Sequence, residues 1–511
     1  MAVLNSNIII CKSVKLDRGH INVLNYTTQQ MLSLCNSNGV YVASRDNYSF
    51  IRKNGNISVD FTYAQCVQCN YMAFQNPDYD NKWFFAWIDS VEYKGDRNVE
   101  ISFTVDNWST WYDLINWLPV FVEREHVNSD VVGANMVPEP VNSDATVVFN
   151  AQDVTFSNWR VLLHRYGGSA GGTVIAQNKM LTPLLVSEYV VDSAGIGLLK
   201  TDIDNLQGNY NGVVSISMFP KTLIDNPAFA VSFPLQDDGQ GNVTIDGYAP
   251  INNKLFTYPY NYIDVDNGHS HIVLHVENFL TPNAITFNVI GTKYIPNSDI
   301  TIYPIGYEGY TRNPLYSLSL QDTPQVPFCI DSYKAWLAQK SNGQLISSLS
   351  NVVMGAGAGF AVGGTVGGAV GALGGVANAI TSIATQAQEA KDASDSIRGN
   401  STGSNNILAD CFGFFIKQIG LRADVAKGID TFFSQHGYQV NTVKIPNITG
   451  RQYWNYIKVN GVPVYGAMPE DAKEDIIKIC NSGVTIWHDH SYLGNYLIGG
   501  DSAGRLLNPI V

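Results

Sequence analysis

Residues 82–108 read KWFFAWIDSVEYKGDRNVEISFTVDNW and contain two apolar runs joined by a polar turn at residues 94–98. In the second run apolar and polar side chains alternate: Val99, Ile101, Phe103 and Val105 with Glu100, Ser102, Thr104 and Asp106. A period of two is typical of a strand that buries one face. The stretch therefore predicts a β-hairpin, and it favours a mainly β fold.

Composition extends this interpretation to the rest of the chain. Of the 511 residues, 45% are hydrophobic and only 15% are charged, with 27 Tyr, 22 Phe and 9 Trp. Aromatic residues favour strands, and the charged share lies well below the roughly 25% of average soluble proteins. Strand-like runs continue through residues 126–330 and resume in CFGFFIKQI (411–419) and YQVNTVKI (438–445). We expect a mainly β protein.

The charge of the chain argues against a protein that grips DNA. Its net charge is −13, and the sequence has no cluster of Lys and Arg. Such a cluster supplies tight nucleic-acid binding, because the driving force is the release of counterions from phosphates. An acidic surface would let DNA pass without sticking, although solubility alone explains the charge equally well.

The cysteines indicate folding in a reducing compartment. There are 7 Cys, an odd number with scattered spacing, and the N-terminus MAVLNSNIIICKSVKLD has no basic region before an apolar stretch. This pattern disfavours a secretory signal and a disulfide framework. Cys66 and Cys69 form a lone CxxC; without a second pair, structural cysteines are favoured over a zinc or redox site.

The character of the chain changes between residues 331 and 406. SYKAWLAQK (332–340) predicts a short helix, and residues 376–397 predict a second helix with one weakly apolar seam. Residues 341–388, which run into the second of these helices, contain no Asp, Glu, Lys or Arg, and residues 352–377 contain Thr365 as their one polar side chain. We expect an inserted Gly/Ala-rich apolar segment flanked by short helices.

Two interpretations of residues 352–377 compete: a membrane-active segment, and a buried core helix or Gly-rich structural loop. As a helix these 26 residues would span about 39 Å, enough for a hydrocarbon core of roughly 30 Å. Glycines recur every four residues from Gly355 to Gly375, a ladder that lets helices approach closely. We favour the membrane-active interpretation. The residues expected to contact the membrane are Val352, Val353, Met354, Gly355, Gly359, Phe360, Val362, Gly363, Val366, Gly367, Val370, Gly371, Leu373, Gly375 and Val376.

The changes of character divide the chain into four ranges. Residues 1–125 are expected to form part of a β-barrel-like tube domain, and residues 126–330 additional β-rich domains. Residues 331–406 are the insertion, and residues 407–511 form a C-terminal β part that completes the tube domain.

Candidate catalytic or metal-binding residues are isolated. His269, His271 and His275 share one face of a possible strand, but the sequence provides no fourth ligand. The run His488-Asp489-His490 has the same weakness. Acidic pairs such as 78/80 and 264/266 lie in turn-like sequence, where Asp is a common turn former. We find no Walker loop, GxSxG or HExxH motif, and we predict no enzymatic activity, cofactor or metal.

Three stretches resemble the distal tail tube, or tail knob, protein of small short-tailed bacteriophages that infect Gram-positive bacteria. They are residues 14–44 (with VKLDRGHINVLNYTTQQMLSLCNS), residues 83–127 (WFFAWIDSVEYKGDRNVEISFTVDNWSTW running into LPVFVEREHV) and residues 429–459 (IDTFFSQHGYQVNTVKIPNITGRQYWNYIKV). The most specific motif is FVERE before His126, for which we expect strand-end or interface roles.

The resemblance implies a hexameric tube at the tail tip of the virion, made in the host cytoplasm and bound to other tail proteins. Apolar segments would plug the lumen and then leave it to penetrate the host membrane, and DNA would pass through the lumen without sequence-specific binding. Three other classes remain open: a secreted pore-forming protein, a tail-associated cell-wall hydrolase and a receptor-binding spike.

Overall fold

The computed structural model describes residues 7–46, 49–51, 55–76, 79–140, 145–166, 171–178, 184–206, 213–239, 241–267, 270–279, 285–293, 298–308, 316–320, 325–326, 413–502 and 504–511. The predicted insertion, residues 331–406, lies outside these described residues, as do the two helices expected at its ends.

Strands dominate the described part of the chain. They are β1 Asn7–Cys11, β2 Asn22–Leu24, β3 Tyr41–Asp46, β4 Ser49–Ile51, β5 Asn56–Val59, β6 Tyr71–Asn76, β7 Lys82–Gly95, β8 Asn98–Val105, β9 Asn116–Trp117, β10 Val120–Glu125, β11 Thr146–Thr155, β12 Trp159–Tyr166, β13 Thr173–Asn178, β14 Leu184–Val190, β15 Val213–Pro220, β16 Ala228–Phe233, β17 Asn261–Asp266, β18 His271–His275, β19 Ile285–Thr292, β20 Asp299–Ile305, β21 Leu318–Leu320, β22 Gln325–Val326, β23 Gly413–Leu421, β24 Tyr438–Lys444, β25 Trp454–Asn460, β26 Val464–Tyr465 and β27 Val484–Trp487. The α-helices are α1 Thr28–Cys35, α2 Tyr63–Cys66, α3 Asn107–Trp111, α4 Ser193–Leu206, α5 Lys221–Asp225, α6 Ala423–His436 and α7 Glu470–Ser482. The expected mainly β fold is confirmed.

The chain forms two compact units, and each combines distant parts of the sequence. Unit 1 comprises Met1–Val141, Pro250–Leu255 and Ala423–Val511, and unit 2 comprises Asn142–Ala249 and Phe256–Arg422. The six residues Pro250–Leu255 thus belong to a different unit from the chain on either side of them.

Unit 1 is built on a seven-stranded sheet that contains the predicted hairpin. The strand order is β3-β1-β6-β7-β8-β5-β4, and β7 and β8 pair antiparallel with Ile88 opposite Phe103. Val99 and Ile101 are fully buried and Phe103 nearly so, as their alternation predicts. The hairpin closes between Gly95 and Asn98, where Arg97 adopts a positive φ of 56°. The predicted hairpin is confirmed.

The two faces of this sheet pack into different cores. On one face Ile8, Ile10 and Met72 join the buried side of β8. On the other, Tyr71 and Trp87 pack with Trp454 and Trp487 from the C-terminal part of the chain. Residues more than 350 positions apart in sequence therefore share one core.

A second sheet in unit 1 has the order β2-β27-β25-β10-β24. It is antiparallel except for the pair β2–β27. Helix α7 buries Ala472, Ile476 and Cys480, which are spaced by four residues, against this sheet. Helix α6 ends at His436 and is followed by Gly437, whose φ of 67° lies in the left-handed region that glycine favours.

Unit 2 contains three antiparallel sheets around one large core. Their orders are β11-β23-β17-β18, β13-β14-β12-β15-β22 and β16-β19-β20-β21. Strand β19 buries every second residue, including Ile285, Phe287 and Val289. Strand β23 contributes Phe414 and Ile416 to the same core. The described strands nearest in sequence to the predicted insertion, β22 and β23, therefore both belong to sheets of unit 2.

Candidate functional site

The predicted membrane-interacting residues, 352–376, lie outside the described residues, so their role stays a prediction. Among the helices that the structure describes, none combines the length and apolar character needed to cross a bilayer.

A polar site in unit 1 surrounds strand β10, which contains the motif most specific to the family resemblance, FVERE. The strand lies between β24 and β25, and its pairing shifts register between Val122 and Arg124. Val122 is fully buried, and so is the charged residue Glu125. A buried carboxylate is costly unless it is paired and hydrogen-bonded, so its partners are informative.

Glu125 is satisfied by residues from the C-terminal part of the chain. One carboxylate oxygen pairs with the ammonium of Lys444, and the other accepts a hydrogen bond from the backbone N–H of Asn447 at 2.8 Å. The Lys444 side chain is 39% exposed. The buried end of β10 is therefore joined to the end of β24 and to the loop that follows it.

His126 makes the next connection with its imidazole ring. Nδ1 accepts from the backbone N–H of Tyr456 at 2.8 Å, and Nε2 lies 3.1 Å from the carbonyl of Ser434, to which it donates. Burial, followed by the charge of nearby Arg451, lowers the pKa of His126 to about 3. The ring is therefore neutral at physiological pH, and it bridges β25 and helix α6.

Arg124 and Lys254 share one carboxylate, that of Glu139. Lys254 Nζ lies 2.6 Å from Glu139 Oε1, Arg124 pairs with the other oxygen, and the backbone N–H of Gln439 donates to Oε1 at 3.1 Å. The Lys254 side chain is 1% exposed and its ammonium lies over the rings of Phe433 and Tyr438.

The pKa values of this pair reflect both burial and charge. Burial lowers the pKa of Lys254, and Glu139 acts in the opposite direction. For Glu139, burial would raise the pKa, but Lys254, the N–H of Gln439 and Arg124 together outweigh it, so the pKa is lowered. Glu139 is consequently ionised at neutral pH, and it compensates the buried ammonium of Lys254.

The segment Pro250–Leu255 is held in unit 1 by further hydrogen bonds. Asp430 of helix α6 accepts the backbone N–H groups of Ile251 and Asn252, both at 3.0 Å. The Asn252 amide also donates to Ser434 Oγ at 2.8 Å, and the N–H of Asn253 donates to Asp130 at 3.0 Å. These groups satisfy the backbone of a short segment that has no sheet partner of its own.

The contacts around β10 fix the positions of neighbouring peptide groups and charged side chains. Glu125, His126 and Glu139 each hold neighbouring peptide groups or cations at hydrogen-bond distance. The described part of the chain has no group of three or more His, Cys, Asp or Glu suited to a metal ion.

The predicted histidine sites have structural contacts. His269 lies outside the described residues, whereas His271 and His275 lie on β18, where His271 Nδ1 is 2.7 Å from Asp264 Oδ1. His488 lies 2.7 Å from the Asn25 amide and 3.0 Å from Asn455. His490 Nδ1 lies 3.2 Å from the Tyr26 hydroxyl.

Cys66 and Cys69 of the CxxC motif are buried free thiols. Burial raises the pKa of Cys66 to about 11 and that of Cys69 to about 12, where like charge between the thiols adds to the effect. Both are protonated at neutral pH, which is unfavourable for metal binding and for nucleophilic attack.

Sequence reasoning noted Glu123, Arg124, Glu125 and His126 but missed their partners. Glu139 and Lys254 are separated by 115 positions, and Glu125 and Lys444 by 319. In the sequence, these partner residues stand out only as charged residues in a chain that has few of them. That property does not show which residue pairs with which.

Two family models match the chain. Residues 235–499 match the C-terminal domain of tail knob protein gp9 of Bacillus phage phi29. Residues 4–116 match the N-terminus of the caudoviral major tail protein.

Individual relatives match over nearly their whole length. The chain is 24% identical to tail knob protein gp9 of Bacillus phage PZA and 23% identical to that of Bacillus phage phi29, and each match covers 90% of this chain and 92% of the relative. The solved tail knob protein gp12 of bacteriophage C1 is 13% identical; it shares the fold with a TM-score of 0.57, over 99% of this chain and 100% of that one. These matches confirm the resemblance to tail knob proteins. Because the gp9 model alone spans more than half of the residues, the chain belongs to the tail knob protein gp9 family of bacteriophages.

Proposed function

We propose that this chain is a structural protein of the virion that forms the distal tail tube, or knob, and conducts DNA out of the particle. The observation that carries this proposal is the match of residues 235–499 to a tail knob family model. Relatives named as tail knob proteins, which align over 90% of the chain, support the same function.

The tube itself is a closed ring of identical subunits, six in our proposal, that binds other tail proteins at the tail tip. Closed cyclic symmetry lets one chain make a conduit. It also resolves a solubility problem, because an uncharged segment such as 341–388 promotes aggregation when it is exposed on a soluble particle. A ring can hide six such segments in its lumen.

The apolar segments plug the lumen and are then released to penetrate the host membrane. Residues 352–377 are long enough to span a bilayer as a helix, and their glycines disfavour a stable helix in water. In lipid, a helix satisfies all of its backbone groups internally. The described strands nearest in sequence to the segment are β22 and β23. Both are paired within sheets of unit 2, which supports a segment that leaves without unfolding them.

The remaining features of the chain fit a conduit without enzymatic activity. A net charge of −13 allows DNA to pass without sequence-specific binding. The shared core of Trp87 and Trp454 supports a tube domain built from the N-terminal and C-terminal parts of the chain. Strand β23 and most of residues 126–330 then belong to the additional β-rich structure of unit 2.

Electron microscopy of the purified protein tests this function. We expect rings, with six subunits and a lumen wide enough for duplex DNA. A monodisperse monomer by light scattering at micromolar concentration, with no particles in the micrographs, would contradict the proposal.

A further inference from the structure

The outer face of the β17–β18 hairpin in unit 2 carries an unusual set of side chains. The register pairs Tyr262 with His275, Asp264 with Val273, and Asp266 with His271. Successive pairs of this kind lie on the same face of a sheet. The alternate residues, including Ile263, Val265 and Leu274, are fully buried in the core of unit 2.

One end of this face is aromatic. The rings of Tyr258 and His275 are parallel, with an interplanar angle of 2° and centroids 4.4 Å apart, and Tyr262 meets Tyr258 edge-on at 5.7 Å. Tyr258 remains 40% exposed. Both carboxylate oxygens of the buried Glu277 accept the backbone N–H of Tyr258 at 3.2 Å. His275 covers one face of the Tyr258 ring, and the rest of this aromatic surface is exposed and held in position.

The other end of the face is polar. Asp264 pairs with His271 at 2.7 Å, and Asp266 pairs with Lys417 of the neighbouring strand β23 at 2.7 Å. The His271 side chain is 64% exposed. Asp264 is buried, whereas the Asp266 side chain is 26% exposed. An ionised carboxylate offers about four acceptor positions, so Asp266 can accept from Lys417 and from a bound molecule. The polar end therefore selects a ligand that donates hydrogen bonds.

We propose that this face is a saccharide-binding site for a chain of sugar rings without acidic groups. The C–H face of a pyranose ring packs on the side of Tyr258 that faces away from His275. Hydroxyl groups of the next ring donate to Asp266 and form a hydrogen bond with the exposed His271. Aromatic residues suit such a contact because they offer a large rigid apolar surface. The strand of five residues is about 14 Å long, so the face is elongated and fits a chain rather than one ring.

Charge determines which saccharides fit. Among the described charged side chains of this face, Asp264 and Asp266 outnumber the ammonium of Lys417, so the face is acidic. Phosphorylated or carboxylated polymers are repelled, and neutral chains are not. This binding site is independent of the conduit function, since it uses no residue of the apolar segment.

Isothermal titration calorimetry of the full-length protein with the hexamer of N-acetylglucosamine, and with cellohexaose, tests the site at pH 7. We expect saturable binding of at least one neutral chain with a Kd of about 1 mM or lower, and none of dextran sulfate. Tyr258→Ala should weaken binding about tenfold, the effect of one aromatic contact. Tyr93→Ala is the matched control, because it removes a tyrosine that is 61% exposed but lies in unit 1.

His271→Ala gives a second, independent readout at a side chain that is 64% exposed. It should weaken binding about two- to tenfold through the loss of one hydrogen-bonding group, even if Tyr258→Ala fails to fold. The proposal is overturned if neither neutral chain binds at millimolar concentration. It is also overturned if both variants bind the sugars as tightly as the wild type does. A third contradicting result is that hexalysine binds as tightly as the sugars and that Tyr258→Ala does not weaken hexalysine binding, since the face would then simply attract cations.

Discussion

Replacing Glu139 by Gln tests the buried charge network most sharply. Gln keeps the shape of the side chain and can still accept the N–H of Gln439, but it removes the negative charge. Lys254, with a side chain only 1% exposed, then holds an ammonium whose nearest carboxylate is gone. Arg124 loses the same partner.

The loss can be bounded from the structure. Removing one partner of a buried ion pair costs about 3–5 kcal/mol, because the remaining charge is uncompensated. Lys254 can avoid that cost by releasing its proton, and from an ordinary pKa of 10.5 this release costs about 5 kcal/mol at pH 7. We therefore expect the free energy of unfolding of unit 1 to fall by about 3–5 kcal/mol.

Urea unfolding followed by tryptophan fluorescence measures this change. The signal reports mainly unit 1, because seven of the nine tryptophans lie there: Trp83, Trp87, Trp108, Trp111, Trp117, Trp454 and Trp487. Glu123→Gln is the matched control on β10, since the pair of Glu123 with Lys458 is 41% and 36% exposed. An exposed pair contributes at most about 1 kcal/mol.

The pH dependence gives a second check. The pKa of Glu139 is lowered in the folded state, so its stabilising contribution is complete above the unfolded pKa and is lost as pH falls through the folded pKa. The wild type should therefore lose stability in acid more steeply than Glu139→Gln. If Glu139→Gln destabilised no more than Glu123→Gln, the network would be a surface feature and our account of it would be wrong.

Two further predictions concern glycines. Gly437→Ala should destabilise unit 1 by at least about 2 kcal/mol, because φ is 67° and the new Cβ would lie 2.0 Å from the Glu125 carbonyl. In helix α6, the Cβ of Gly428→Ala would meet nothing within 4 Å, so this variant should be stabilised by about 0.5–1 kcal/mol. Thermal unfolding of the two variants and the wild type measures both changes. A peptide of residues 345–388 should release dye from lipid vesicles, and replacing Gly363, Gly367 and Gly371 by Leu should raise binding but lower leakage per bound peptide. Better leakage from the leucine peptide would make the glycine ladder incidental.

The sequence predicted those parts of the fold that depend on local pattern. The alternation from Val99 to Val105 identified β8, and the runs CFGFFIKQI and YQVNTVKI became β23 and β24. Helix α6, which lies between those strands, was not predicted. Its apolar pattern is interrupted, because its buried positions include Asp430 and Ser434, which bind the segment Pro250–Leu255.

The site could be predicted only in part, for a physical reason. The motif FVERE was recognisable, and Glu125 is the last residue of β10, in line with the expected strand-end role. Its complete burial was not predicted. A carboxylate becomes tolerable in a core through partners such as Lys444 and Asn447. Such partners are brought together by the tertiary fold, and no sequence period encodes them.

The central claim is that the apolar segment opens the host membrane while the rest of the chain builds the conduit. Virions that carry a deletion of residues 345–384 test it directly, by parallel measurement of particle assembly, adsorption and DNA entry into cells. We predict normal assembly and adsorption with DNA entry abolished, since closing a loop of different length changes stability by only about 0.6 kcal/mol per doubling. Normal DNA entry by the deleted virions would contradict the account, and an insoluble deleted protein would show that the segment belongs to the core.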